Sequence, residues 1–326
     1  MAYNFDEIGT RSTVAVSVFL LSLSSLFTLI HIKNHCISLK YAEAQILILA
    51  LALTPSVIGW CSWITIVLGP DWAQLDLIGI SYMSIAALSF FYYTLKLFGW
   101  EANPGFNVYR YGKIQHRLIS LGSIKSVFIW MGSMRIGNCS EAMGYLNLVK
   151  LGVFQFAFVL AGIGIAGVII QFADSELMDY GNPDIYHAWL WLRVAEAASA
   201  LIAFLVLHSW KQTMKRIEDL SKLKIDSKFQ VIAWCLLLPS IQPIPMALLS
   251  KYGIIADSDA NSVKEVTVFT HNFLLIIEMI AAGILQVVSF QPEEFYVEEV
   301  STELEDKNEN KYLEETTPNV TLRIMD

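Results

Sequence analysis

Seven stretches of this chain are each apolar over about 20 residues or more, the length a helix needs to cross the roughly 30 Å hydrocarbon core of a bilayer. They run from Ser12 to Ile32, Gln45 to Leu68, Leu75 to Leu97, Leu148 to Phe172, Ile185 to Leu207, Phe229 to Leu249 and Val266 to Phe290. In hydrocarbon every backbone donor and acceptor needs an internal partner, so runs of this kind fold as helices that pack on one another. The expected fold is an all-α membrane protein, a seven-transmembrane helix bundle. Composition agrees: 55% of the 326 residues are apolar and 16% charged, where a soluble domain carries about 25% charged residues. The first stretch reads as a retained span rather than a cleavable signal, because its leader carries Asp6 and Glu7 instead of a basic region and its apolar run exceeds a signal core.

Lysine and arginine in the connections predict the orientation, since they resist translocation. Lys33 and Lys40 follow the first span, Arg110, Lys113, Arg117, Lys125 and Arg135 the third, and Lys211, Lys215, Arg216, Lys222 and Lys224 the fifth. The amino terminus and the even connections offer few, among them Arg11 and Lys251. The amino terminus, residues 1–11, is therefore expected outside, the spans within 12–290, and the carboxyl terminus in the cytosol. Residues 291–326 hold eleven acidic and three basic side chains, which accounts for the whole net charge of −8. So polar a segment cannot offset its ordering entropy and is expected to be a disordered cytosolic tail. Within the third connection, Gly112 to Met134 is basic and moderately apolar; it fits an interfacial helix on the inner leaflet or an irregular loop. The sequons at Asn138 and Asn319 fall on the cytosolic side by this topology and are expected to stay unmodified.

The acidic balance argues against nucleic acid, whose phosphates call for a basic stripe. Cys61 and Cys235 lie within spans, with Cys36 and Cys139 on the inner side, so no outer disulfide is expected. The chain contains no CxxC, HExxH, GxSxG or glycine-rich phosphate loop, and the spacing of its histidines fits no metal site. No catalytic residue, metal site or cofactor is expected.

Ionisable side chains inside spans are costly and mark candidate sites. Arg193 and Glu196, three residues apart, share a face of the fifth span with Tyr186 and Trp189. They read either as a self-compensating ion pair or as an anion site using Arg193. Glu278 lies about 12 residues, roughly 18 Å, into the seventh span with His271 on the same face. It meets Arg193 across the bundle, is kept neutral by apolar surroundings, or faces a wet pathway. In the sixth span Pro239, Pro243 and Pro245 flank Ser240 and Gln242. Each proline removes a donor and crowds the carbonyl four residues back, so a bend or break is expected, either as a hinge with polar lining or as a passive packing kink. Gln155 in the fourth span predicts an interhelical hydrogen bond. Small residues at Ala195, Ser199 and Ala203, and at Gly162 and Ala166, predict close helix approach.

The fourth span opens Leu151-Gly152-Val153-Phe154-Gln155-Phe156-Ala157-Phe158. Ser227-Lys228-Phe229, Ile241-Gln242-Pro243 and Tyr252-Gly253-Ile254-Ile255 frame the sixth, and Asn272-Phe273-Leu274-Leu275-Ile276-Ile277-Glu278-Met279 lies in the seventh. In order and spacing these elements, and more loosely Tyr82 to Gly99, resemble the organic solute transporter alpha subunit family, over roughly Leu75 to Phe290. The resemblance implies seven spans with the amino terminus outside and a single-span beta-type partner. It also implies facilitated, uncoupled, bidirectional movement of amphipathic organic anions such as conjugated steroids or bile-acid-like solutes. The family's dense cysteine cluster in the third connection, expected to be lipidated, is reduced here to Cys139 within Arg135-Ile136-Gly137-Asn138-Cys139-Ser140. Cys139 stands as the lipidation candidate of a divergent member.

These readings converge on a solute path lined by the fifth, sixth and seventh spans, with Arg193, Glu196, Gln242, His271, Asn272 and Glu278 as path candidates and the three prolines as hinge candidates. Expected partners are the beta-type subunit, membrane lipids and the anion itself, and homo-oligomers are compatible. The expected location is the plasma membrane, with the secretory endomembranes as the alternative. A rival reading is a non-transporting protein that organises lipids or trafficking. A seven-span receptor fits less well: the third span ends Leu95-Lys96-Leu97-Phe98-Gly99 without an acidic-Arg-Tyr triplet, and the seventh lacks Asn-Pro-x-x-Tyr.

Overall fold

The computed structural model describes residues 8–37, 42–69, 76–98, 112–125, 133–173, 183–217, 220, 223–255 and 262–291. The expected tail lies outside the described residues apart from Gln291, as does Asn319. The helices are α1 (Ile8–Ile37), α2 (Ala42–Leu68), α3 (Asp76–Leu97), α4 (Gly112–Ser120), α5 (Cys139–Ala173), α6 (Ala188–Lys215), α7 (Ile225–Ile241), α8 (Pro243–Lys251) and α9 (Val263–Ser289). Strands β1 (Ser123–Lys125) and β2 (Ser133–Arg135) form an antiparallel ribbon, the one non-helical element among the described residues.

Six helical stretches among the described residues are long and apolar enough to cross a membrane: α1, α2, α5, α6, α7 with α8, and α9. The expected third span is present as α3, a 22-residue helix packed along α2. Large apolar side chains face outward around the bundle; Phe19, Phe158 and Phe172 are 68%, 73% and 87% exposed. Water would penalise such a surface, while lipid accepts it.

One end of the bundle is basic and heavily cross-tied. Lys215 and Lys211 at the end of α6 pair with Asp226 at the start of α7, at 2.5 Å and 3.1 Å. Arg117 of α4 donates to the carbonyls of Leu97 and Phe98 that close α3. Arg216 donates to the carbonyls of Ser123 and Leu121, holding the ribbon on α6. These cations satisfy carbonyls that chain ends leave open, where the helix dipole also favours positive charge. Just inside this end, Trp210 of α6 donates to Thr94 Oγ1 of α3 at 2.9 Å. It also packs against Phe91, Phe98 and Tyr145 with ring centroids 5.0 to 6.3 Å apart.

The third connection corrects the interfacial-helix reading. Among the described residues of Gly112 to Met134 the helix is Gly112–Ser120, its apolar Ile114 and Leu118 are fully buried, and α4 packs on α5 rather than lying open to a leaflet. Gly122, at φ +66°, then turns the chain into β1, a conformation that side chains with a Cβ disfavour. Further along, Asn138 Oδ1 accepts from Glu141 N at 2.9 Å and the Glu141 carboxylate accepts from Gly137 N at 2.6 Å. This reciprocal cap starts α5 at Cys139, before the expected Leu148, and gives the Asn138 side chain a structural task. A Ser262–Glu265 capping box starts α9 in the same way.

Close approach of α5 and α6 occurs at Gly152, where an added Cβ would fall 2.5 Å from Val206 Cγ2. Gln155 Nε2 donates to Ser199 O at 3.0 Å while Ser199 Oγ donates to Gln155 Oε1 at 2.9 Å, the interhelical bond expected. Ser199 and Ala203 are buried in that interface, but Ala195 is exposed. Gly162 is corrected: it is exposed with open space around its Cα, because it lies on the outward face of α5 while its neighbour Ile163 is buried.

Candidate functional site

The proline-rich sixth span bends without unwinding. Gln242, between α7 and α8, keeps right-handed helical dihedrals (φ −56°, ψ −34°). The ladder is carried across by Gln242 N to Leu238 O at 3.0 Å and Met246 N to Gln242 O at 3.2 Å. Pro239, Pro243 and Pro245 have no N–H to give to the carbonyls of Cys235, Pro239 and Ile241. Pro239 and Pro243 are buried, while Pro245 is exposed. The hinge candidates thus weaken a continuous helix rather than sever it. α8 stops in a Schellman motif, with Ile254 N on Leu249 O, Gly253 N on Ser250 O, and Gly253 at φ +71°.

Beside this weak point lies a small pocket with about 20 Å³ of free interior, room for about one water molecule. Its lining includes Ile58, Cys61 and Ser62 of α2, Gly79 of α3, Arg193 of α6, Pro239 of α7 and His271 of α9. Arg193 is placed there by α6, roughly 8 Å from the helix start. Its Nη1 donates to Glu196 Oε2 at 2.9 Å, and both side chains are almost wholly buried. The ion pair expected on one helical turn therefore forms, and it also lines a cavity. His271 is buried, and its Nδ1 has no hydrogen-bond partner. Trp189 is buried on the same helix, packed with Ala247 of α8. Tyr186 is corrected: it precedes α6 and is exposed, so it does not continue the stripe.

The remaining path candidates do not line that pocket. Gln242 Nε2 donates to Glu278 Oε1 at 3.3 Å, joining the α7–α8 bend to α9. Glu278 is half-buried and meets Gln242 rather than Arg193, which decides that alternative. Gln242 Oε1 and Glu278 Oε2 are both enclosed without a partner. Asn272 is fully buried and donates back to Val268 O at 2.9 Å, while its Oδ1 has no partner. The polar groups thus form two stations, Arg193–Glu196 with His271 and, about 10 Å deeper along α9, Gln242–Glu278.

Two parts of the polar interior escaped the sequence reading. The pocket draws on α2 and α3 as well as the expected helices. Ser17, Ser24, Thr28, His31 and His35 form a buried stripe on α1. Their spacing of 3, 4 and 7 residues was visible, but scattered hydroxyls in an apolar helix carry little signal, since each can bond its own backbone.

Cys139 is exposed at the first turn of α5, and none of the four cysteines is in a disulfide. Among the described residues no group of His, Cys, Asp and Glu side chains is arranged to hold a metal ion.

No solved structure matches the chain. The family model described as organic solute transporter Ostalpha matches residues 13–295, which takes in α2 to α9, nearly all of α1, and every polar station described above. With an apolar helical bundle enclosing buried charge beside a proline-weakened helix, and with that match over most of its length, this chain belongs to the organic solute transporter Ostalpha family.

Proposed function

We propose that this protein is the alpha-type subunit of a facilitative carrier for amphipathic organic anions such as conjugated steroids or bile-acid-like solutes. In this reading movement is uncoupled and bidirectional, α3 also crosses the membrane and brings the spans to seven, the amino terminus is outside and the tail cytosolic. A single-span beta-type protein accompanies the chain at the plasma membrane. The observation that carries the proposal is Arg193 on the wall of an otherwise largely apolar pocket, steadied by Glu196 at 2.9 Å. A guanidinium in such a setting suits an anionic head attached to an apolar body. Drug-sized ligands fill pockets of about 300 to 1,000 Å³, far more than the about 20 Å³ open here, so the anionic head enters only when the walls around Arg193 part and leaves the sterol body along apolar side chains. The proline-weakened α7–α8 bend beside it supplies an element whose movement opens or closes the site. Gln242 and Glu278 tie that bend to α9 and set its angle.

The test is reconstitution in vesicles, with and without a single-span partner, and flux of a labelled sulfated steroid in both directions. Replacing Arg193 and Glu196 together by alanine removes the site without leaving a lone buried charge. Flux is expected to fall at least about tenfold, the equivalent of one lost charge-assisted contact. Unchanged flux would remove Arg193 from the path. Absence of all flux with the partner present would favour the lipid-organising reading, which the lone Cys139 in place of a lipidated cluster also supports.

A further inference from the structure

The stripe on α1 points away from the pocket, toward a seam that α1 shares with α2 and α9. Ser24, His31 and Gln286 are 2%, 3% and 2% exposed, and Ser24 Oγ, His31 Nε2 and Gln286 Nε2 have no hydrogen-bond partner. Their levels can be fixed. A Cβ on Gly283 would lie 3.5 Å from Ser24 Oγ, and His35 Nε2 is 3.0 Å from Phe290 O. α1 and α9 thus run side by side in the same direction between those levels, and Gln286 falls beside Thr28 to His31. Thr28 itself is satisfied by Ser56 of α2 at 2.8 Å. The three unsatisfied groups form a ladder about 10 Å long, leading to the basic end of the bundle.

Leaving such groups unbonded in an apolar interior incurs their full desolvation cost. An interior that exists only to hold helices together would pair them or replace them with apolar side chains. A hydroxyl and an amide N–H are donors seeking an acceptor, and a ring nitrogen can join them. Between this ladder and the Arg193 pocket the same helices carry an apolar plug. Leu21 of α1 lies against Gly59 of α2, so close that a Cβ there would be 2.6 Å from Leu21 Cδ2, with Met279 of α9 beyond. Leu21 and Met279 are 1% and 0% exposed.

We propose that the α1–α2–α9 seam is a second site for the solute's anionic head, separated from the Arg193 pocket by the Leu21–Met279 plug. Ser24, Gln286 and His31 bind the head's acceptor oxygens on the cytosolic half of the path. The solute passes when α1 shifts and withdraws Leu21 from Gly59. The path therefore runs along α2 and α9 with α1 as its moving wall, rather than through the fifth, sixth and seventh spans alone. This inference rests on the carrier reading and its orientation.

The experiment uses the full chain with its partner in vesicles, carrying Ser24→Cys, Gln286→Cys or, as control, Leu29→Cys. Leu29 is 62% exposed on the outward side of α1 at the same depth. A membrane-impermeant anionic thiol reagent is applied from the cytosolic side, and labelling is read on each peptide by mass, so the four native thiols need not be removed. Ser24→Cys and Gln286→Cys are expected to label faster than Leu29→Cys. A sulfated steroid at about ten times its Kd is expected to slow them about tenfold. Labelling no faster than the control, or labelling that the steroid does not slow, overturns the seam site. Leu21→Ala gives a second readout: faster labelling of Ser24→Cys from the opposite side supports the plug, and an unchanged rate overturns it. Steroid flux through the parent chain is measured in parallel. Its absence refutes the carrier reading, whereas flux without labelling at the seam refutes this inference alone.

Discussion

The α5–α6 interface and the α1–α2–α9 seam are built from similar residues, yet they differ in how fully they pair their polar atoms. Between α5 and α6, Gln155 and Ser199 exchange two hydrogen bonds, Tyr145 and Thr213 share one at 2.9 Å, and Gly152 lets the backbones meet. Across the seam, Thr28–Ser56, Trp60–Ser25 and His35–Phe290 bonds tie the edges, but Ser24, His31 and Gln286 are buried and unbonded between them. Pairing makes an interface rigid and dry, because separating it exposes groups that hydrocarbon cannot satisfy. Unpaired groups lower the cost of separation, since the closed state is already penalised. The bundle therefore divides into a fixed half around α5 and α6 and a half poised to open around α1 and α9.

The Arg193–Glu196 pair belongs to the fixed helix but faces the opening half, so disrupting it gives the largest expected effect. Arg193→Ala leaves Glu196 buried and uncompensated, which costs about 3–5 kcal/mol. The fraction folded in detergent, followed by thermal unfolding, should collapse for this single variant. In Arg193→Met with Glu196→Leu no lone charge remains, and stability is expected to return to near the parent level while steroid flux stays lost. Should the double variant be as unstable as the single one, the pair would be a structural strut and not a solute contact.

Gly152 tests the rigidity of the paired interface directly. Gly152→Leu drives a side chain into Val206, whose Cβ would be 3.2 Å from the new Cβ and whose branching leaves it little freedom to turn. Overpacking of this kind costs about 1–3 kcal/mol, read as a lower Tm, and Val206→Ala in the same chain should recover part of it. A variant with unchanged Tm would show that α5 and α6 slide apart easily, erasing the contrast between the two halves.

The helices of the bundle are legible in the sequence, because hydrocarbon restricts the fold so severely; its division into two halves is not. Apolar length located the helices, and the expected Arg193–Glu196 and Gln155 bonds formed, since side chains three residues apart or facing a neighbouring helix have few other partners. What could not be read was partnership between distant segments. Glu278 had three open alternatives, and only packing of α9 against the α7–α8 bend selected Gln242. Gly162 is as small as Gly152, but it lies on the outward face of α5, and which face meets a neighbour is a tertiary property. Gly112 to Met134 does not reveal its β1 ribbon, because a ribbon held by Arg216 depends on contact with a residue 93 positions away. The α1 stripe was hidden by its chemistry: serine and threonine are nearly neutral in membrane helices, and only burial against α9 made their missing partners visible.

The smallest expected effect compares single hydrogen-bonding groups across the two halves. A double-mutant cycle with Gln155→Leu and Ser199→Ala should return a coupling of about 0.6–1.7 kcal/mol, the range for interhelical hydrogen bonds in membranes. Ser24→Ala and Gln286→Leu remove groups that have no bond to lose, so each is expected to leave stability unchanged within about 0.5 kcal/mol, or raise it. The same two substitutions should lower steroid flux, whereas Ser199→Ala should lower Tm with flux per folded molecule preserved. Stability and transport would then move in opposite senses on the two sides of the bundle. A loss of Tm on Ser24→Ala equal to that on Ser199→Ala would mean that the seam's hydroxyl is bonded after all, and the half assigned to opening would have to be regarded as closed.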